Sequence, residues 1–256
     1  MARLEIVQVP VLSDNYAYLL HEPETGATGV VDPGAAEPVQ QALKEQGWSL
    51  THILNTHHHG DHTGGNAPLQ KQYDAAVGAS REDQQRIPGL THAVGDGETF
   101  MLGNATATVL AVPGHTGGHI AFWFPESLAL FSGDALFVLG CGRVFEGTPA
   151  MMWASLDKMR RLPDEAQVYC AHEYTQKNAQ FALTIEQDNE ALQRRAQTIA
   201  DLRRAGRPTV PASMAEERAA NPFLRCDEPA VAEAVGLPGA APEKVFAEVR
   251  RRKDGF

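Results

Sequence analysis

The densest chemistry in the chain lies in Thr56-His57-His58-His59-Gly60-Asp61-His62, where four imidazoles and one carboxylate fall within seven residues. The spacing His-x-His-x-Asp-His suits a loop wrapped around metal, whereas a helical zinc motif would set two histidines four apart on one face. Imidazole and carboxylate together suit zinc, iron or manganese. A solvated His-rich loop is the ordinary alternative. Such clustering, followed by Thr63-Gly64-Gly65, argues against it.

One pattern then recurs downstream: an apolar, strand-like run ending in His or Asp among small residues. Residues 107–112 run into Pro113-Gly114-His115, residues 128–131 into Ser132-Gly133-Asp134, and residues 167–170 into Ala171-His172. Reactive groups collect at the carboxyl ends of strands in α/β architectures, and small residues let loops approach closely. Singly, each position reads as a turn or cap; the repetition makes ligands of them. Seven candidate ligands exceed the three or four that one zinc ion needs, so two metal ions are expected. His21, His52 and His92 lack this context and read as surface or strand histidines. The sequence leaves the roles of His58 and His119 open.

The elements that must position these groups are legible in outline. Strand-like runs cover residues 4–12, 15–21, 28–32, 51–55, 106–112, 119–124, 128–131 and 167–170, with amphipathic stretches over Glu37–Gln46 and Met152–Leu162. Strands in runs with helices at intervals give α and β layers. After His172 the texture changes. Asn178–Ala205 holds no Gly or Pro and spaces Phe181, Ile185, Leu192, Ile199 and Leu202 helically, and Gly206 and Pro208 then stop it. A last helix starts at Pro242-Glu243 and ends in Arg250-Arg251-Arg252-Lys253. No strand pattern is evident in this second part. The division predicts domains over residues 1–173 and 174–256.

Composition narrows the function classes. The chain has 256 residues, 43% of them hydrophobic, with no apolar run of membrane-spanning length, so a soluble protein is expected. The start lacks the apolar core of a signal peptide and the composition of an organelle presequence. Cys141, Cys170 and Cys226 have no paired spacing, which points to reduced thiols in the cytoplasm. Residues 174–256 carry 13 Lys and Arg against 12 Asp and Glu, leaving 9 against 20 in residues 1–173. An acidic metal-binding part repels a phosphate backbone and weakens a nuclease reading.

The segment from Thr56 to His62, with Gly114-His115-Thr116, Gly133-Asp134 and Ala171-His172, resembles the metallo-β-lactamase superfamily. Gly140-Cys141-Gly142-Arg143-Val144-Phe145-Glu146-Gly147-Thr148, Ala171-His172-Glu173-Tyr174-Thr175, Asn221-Pro222-Phe223-Leu224-Arg225 and the ending Arg250–Phe256 resemble, within it, glyoxalase II, the hydroxyacylglutathione hydrolases. The resemblance implies an α+β protein, an αββα sandwich followed by a C-terminal α-helical domain. It implies that His57, His59 and His115 hold one metal ion, that Asp61, His62 and His172 hold a second, and that Asp134 bridges them. Two divalent ions, zinc first and iron or manganese as alternatives, would carry a bridging hydroxide held by Asp61 and Asp134. That hydroxide would cleave the thioester S-D-lactoylglutathione to D-lactate and glutathione, the second step of methylglyoxal detoxification. Arg143, Phe145, Tyr174, Arg250 and Lys253 match the family's glutathione-binding positions, with Phe145 where Tyr also occurs. A monomer acting on a small molecule, without nucleic acid or membrane, is the expectation. Three other readings compete: a mononuclear iron dioxygenase acting on glutathione persulfide, a metal-dependent nuclease, and a non-catalytic glutathione- or metal-binding module. The first does not need Asp61 and His62, the second meets an acidic surface, and the third leaves a seven-ligand set without purpose.

Overall fold

The computed structural model describes residues 2–256. Its backbone divides into two compact units, one running to Ala111 and taking in Gly117–Gly133, the other made of Val112–Thr116 and Asp134–Phe256.

In the first unit, Glu5–Val11 (β1) and Asn15–His21 (β2) form an antiparallel hairpin with Glu5 opposite His21 and Val11 opposite Asn15. Thr28–Val31 (β3) continues the antiparallel order beside β2. Helix α1, Ala36–Gln46, then crosses over to His52–Leu54 (β4), which runs parallel to β3 with Val30 opposite Ile53. Parallel pairing demands such a crossover. A second crossover carries Gly60–Thr63 (α2) and Asn66–Tyr73 (α3) to Ala76–Ser80 (β5), and His92–Val94 (β6) closes the sheet, again in parallel. Val39, Leu43 and Leu69 of the helices cluster with Val9, Leu19, Val30, Ile53 and Val77 of the strands. Strands Thr99–Leu102 (β7), Ala105–Ala111 (β8), Ile120–Phe124 (β9) and Ala129–Gly133 (β10) form an antiparallel meander. It packs against the first sheet through aromatic pairs: Tyr18 meets Phe131 at 5.5 Å between ring centroids and His52 meets Phe100 at 5.8 Å.

The His-rich loop, Thr56–His62, follows the carboxyl end of β4, where a parallel strand abuts its crossover. Gly64 and Gly65 follow it because the Pro33–Gly34 backbone lies against them: the Gly65 amide donates to the Pro33 carbonyl at 2.7 Å, and a Cβ on Gly64 would sit 2.6 Å from the Gly34 oxygen. No larger residue fits that approach.

The second unit opens with a two-stranded ribbon, Leu136–Phe137 (β11) and Gly140–Cys141 (β12), then Pro149–Arg160 (α4) and Gln167–Cys170 (β13). The stretch from Asn178 to Ala205, which reads as one helical run, is divided into Thr175–Ile185 (α5) and Glu190–Arg204 (α6). Asn189 causes the restart. Its side chain accepts the Ala191 and Leu192 amides at 3.0 and 3.1 Å, a cap that competes with continuing the helix. Ala212–Ser213 (β14) pairs with β13, a short strand absent from the sequence reading. Met214–Ala220 (α7), Pro229–Ala234 (α8) and Pro242–Asp254 (α9) complete the unit. Phe181, Phe223 and Phe246 are buried in one aromatic cluster, and Arg225 forks onto the Glu186 carboxylate at 2.9–3.2 Å.

Glu217 of α7 is wholly buried, and burial pushes its carboxyl up to about 7. A raised carboxyl favours the folded state while it keeps its proton, so this contribution is complete below the ordinary value of 4.5 and lost as pH rises through about 7. Glu217→Gln cannot titrate. Its stability relative to the native chain should therefore rise between pH 4.5 and pH 7 by about 3 kcal/mol. Denaturant melts at pH 5 and pH 8 measure this, and a difference independent of pH would contradict it.

Candidate metal centre

In the first unit the seven-residue loop buries His57 and His62 and leaves His58 and His59 half-buried. His57 and His62 are each 1% exposed, and their ring centroids stand 4.0 Å apart. His57 Nε2 lies 3.0 Å from His59 Nδ1, and His62 Nε2 lies 3.5 Å from Asp61 Oδ2. Asn15 Nδ2 donates to Asp61 Oδ2 at 3.0 Å, which aims that carboxylate.

Behind the loop stands Asp32, 3% exposed, at the carboxyl end of β3 with a left-handed φ of 49°. Its Oδ1 accepts the Thr56 amide at 2.8 Å, its Oδ2 accepts the Thr56 hydroxyl at 2.7 Å, and the same Oδ2 lies 3.2 Å from His62 Nδ1. A carboxylate so close to Nδ1 favours a proton on that nitrogen, which would keep the Nε2 lone pair for a metal ion. Sequence reasoning did not single out Asp32. It shares the pattern of the candidate ligands, since Thr28-Gly29-Val30-Val31 runs directly into Asp32-Pro33-Gly34.

His58 turns the other way. Its Nδ1 lies 3.2 Å from Asp83 Oδ2, and Arg86 also holds that carboxylate. His119, 1% exposed, stacks on the His57 ring at 4.7 Å. Both therefore brace the loop. His21 stacks on Trp48 at 4.4 Å, His52 meets Phe100 edge-on, and His92 is exposed, as their context in the chain leads one to expect.

In the second unit, Asp134 presents one oxygen to each of two histidines. Oδ2 lies 3.5 Å from His115 Nε2 and Oδ1 lies 3.4 Å from His172 Nε2. His115 Nδ1–H donates to the Arg143 carbonyl at 2.9 Å, so its Nε2 is the lone-pair nitrogen. These spacings are long for hydrogen bonds. They match the edge of a tetrahedron around zinc, about 3.4 Å for ligand bonds of about 2.05 Å. All seven side chains, His57, His59, Asp61, His62, His115, Asp134 and His172, fall in groups of His and Asp able to hold a metal ion. The donor set fits divalent metal.

The remaining candidates lie in the second unit. Phe145, 60% exposed, tilts over His115 at 5.2 Å, and Tyr174 stacks on His172 at 4.6 Å. Arg143 is exposed and lies 3.8 Å from Asp254 Oδ1. Arg250 is buried, donates to the Cys141 carbonyl at 3.0 Å, and pairs with Asp254 at 2.9 Å. Lys253 Nζ donates to the Lys177 carbonyl at 3.2 Å and rests between the rings of Phe181 and Phe256, where burial pulls its pKa down to about 8. Cys141 and Cys170 are buried, and burial raises both thiols to about 11 and about 12, so neither offers a thiolate ligand or nucleophile.

The chain matches the family model of the metallo-β-lactamase superfamily over residues 12–172 and that of the hydroxyacylglutathione hydrolase C-terminus over residues 173–256. A hydroxyacylglutathione hydrolase from Methylococcus capsulatus is 56% identical over 253 residues, 99% of each chain. Another, from Rhodospirillum rubrum, is 52% identical over 100% of both. Among solved structures, ETHE1 from Myxococcus xanthus superposes with a TM-score of 0.69 at 25% identity, over 97% of this chain and 91% of its own. The di-iron-bound form of TTHA1623 superposes with a TM-score of 0.62 at 26% identity, over 86% of this chain and 99% of its own.

Proposed function

From the premise that this chain belongs to the hydroxyacylglutathione hydrolases of the metallo-β-lactamase superfamily, we propose that it hydrolyses S-D-lactoylglutathione to D-lactate and glutathione. It is an enzyme, a thioester hydrolase, with the αββα fold of the superfamily and a C-terminal helical region. The observation that carries the reading is identity above 50% over essentially the full length of relatives bearing that name. That identity favours the hydrolase reading over the dioxygenase one.

We assign His57, His59 and His115 to one divalent ion, Asp61, His62 and His172 to a second, and Asp134 to both. The opposed oxygens of Asp134 support this, as does the di-iron-bound form of a relative at 26% identity. Zinc is proposed first, and iron or manganese accepts the same donors. When bound, two such ions acidify water and polarise the thioester carbonyl. The protein's own residues do the rest. The Arg143 carbonyl holds His115 in the tautomer that would leave its Nε2 lone pair for a metal ion, the Asp32 carboxylate beside His62 Nδ1 would favour the same in His62, and Asn15 orients Asp61. A thiolate leaves without a dedicated acid, so none of the thiols or hydroxyls need act as a nucleophile.

Arg143, Phe145, Tyr174, Arg250 and Lys253 are proposed to hold glutathione, with the rings of Phe145 and Tyr174 flanking His115 and His172 and the cations answering its two carboxylates. Arg250 contributes its charge while bonded to Cys141 and Asp254. The division of roles is proposed to follow the boundary between residues 173 and 174. No described helix is long and apolar enough to cross a membrane. A cytoplasmic monomer is proposed, in keeping with three cysteines that remain thiols among the described residues.

Release of free thiol from S-D-lactoylglutathione, compared with a small thioester lacking the glutathione carboxylates, tests the substrate. Strong preference for the former is expected, and equal turnover would overturn the glutathione assignment. Lys253 adds a pH signature. It is cationic below about 8 and neutral above, so KM should climb between pH 7 and pH 9. A partly exposed charge contact of about 1 kcal/mol makes that roughly fivefold. Lys253→Met should flatten the climb, and a native KM indifferent to pH would remove Lys253 from the substrate site.

A further inference from the structure

The turn joining β11 to β12 is held by side chains from two helices. Glu217 Oε2 accepts the Leu139 amide at 2.8 Å and the Asn221 side-chain amide at 2.9 Å. Asn221 Nδ2 also reaches the carbonyls of Phe137 at 3.3 Å and Gly140 at 3.1 Å, and Asn178 Nδ2 donates to the Val138 carbonyl at 3.1 Å. Leu139 needs this support, since its φ of 56° is a left-handed conformation that leucine rarely adopts. Glu217 and Asn221 are 0% exposed.

The open end of the same ribbon carries the proposed chemistry. Asp134 stands just before β11, and Gly142-Arg143 follows β12. A Cβ on Gly142 would strike the Asp134 carbonyl, so the two ends lie in contact, and the Arg143 carbonyl accepts from His115. One end of a short ribbon is thus fastened to α5 and α7, and the other places two of the assigned ligands.

We propose that Glu217 and Asn221, with Asn178, are positioning residues that set Asp134 and His115 through the β11–β12 ribbon. This rests on the assignment of Asp134 and His115 as metal ligands. A buried carboxylate is costly, and an apolar side chain of its size would pack more cheaply. Its pKa, driven up to about 7 by burial, records that cost. Partners behind metal ligands affect metal affinity or activity by roughly ten- to a hundredfold.

The test compares four full-length variants for melting temperature, metal retained after dialysis, kcat and KM, and exchange of the Leu139 amide. Glu217→Met and Asn221→Ala remove the hold on the turn. They should speed Leu139 exchange, lower kcat by roughly ten- to a hundredfold and lose metal, with KM changed much less. Glu217→Gln carries no charge either but keeps an oxygen where both donors point, and it should restore kcat and metal to near the native values. Ser213→Ala removes the capping box at the start of α7, and should lower the melting temperature without changing kcat or metal. Native kcat and metal in Asn221→Ala or Glu217→Met would overturn the proposal, as would losses in Ser213→Ala of the same size. If Glu217→Met does not fold, Asn221→Ala against Ser213→Ala decides. Metal retention by Asp134→Ala judges the ligand assignment separately.

Discussion

Asp134→Ala should abolish hydrolysis and strip the protein of most of its metal. The side chain is 7% exposed, and its two oxygens address two different histidines at 3.4 and 3.5 Å. Its loss would deprive the two proposed cations of a shared counter-charge and move the water they would activate. Lewis-acid stabilisation of the carbonyl is worth several kcal/mol, so kcat/KM should fall by at least about a hundredfold. Asp134→Asn should fare little better, since an amide offers one neutral oxygen in place of two charged ones. Elemental analysis beside a thiol-release assay measures both effects. Metal and turnover within about twofold of the native protein would remove Asp134 from the centre, because an outer partner alone costs about tenfold.

Asp32→Ala should weaken metal binding and activity by roughly ten- to a hundredfold although Asp32 is not proposed to touch metal. The carboxylate gathers the Thr56 amide and hydroxyl and lies beside His62 Nδ1. Without it the Thr56 amide loses its partner in a buried place, and His62 is free to present a protonated nitrogen to the cation. The left-handed φ of 49° at this position is strain retained at a site where orientation matters. Asp32→Asn keeps one acceptor and should lie between. Competition against a chromogenic chelator reads the affinity, and an unchanged dissociation constant in Asp32→Ala would show that the loop holds its own orientation.

The proposed ligands stand out because they follow strand-like runs, Asp134 directly after β10 and His172 two residues after β13, and the strand signal is strong: β2, β4, β9, β10 and β13 all fall on apolar runs of the sequence. Asp32 shares that signal but not the histidine company that made the other positions conspicuous. The runs miss β5, β6, β7, β11, β12 and β14; β6, β11, β12 and β14 have two or three residues, too few to show a period, and Gly78 interrupts β5. The capping box Ser213–Glu216 was readable in principle and marks α7. The break between α5 and α6 has no Gly or Pro to announce it, and only the Asn189 cap explains it. The proposed substrate residues rest on resemblance alone. The burial of Arg250, its bond to Cys141 and the hold of Glu217 on Leu139 span 78 to 109 residues of chain, and no local pattern records such contacts.

Titration of metal-free protein with zinc, following thiol release from S-D-lactoylglutathione, tests the centre most directly. If the seven proposed ligands serve two ions, activity should be absent at the start and level off at two equivalents per chain. A plateau at one equivalent, or full turnover by protein verified to hold no metal, would contradict the dinuclear centre.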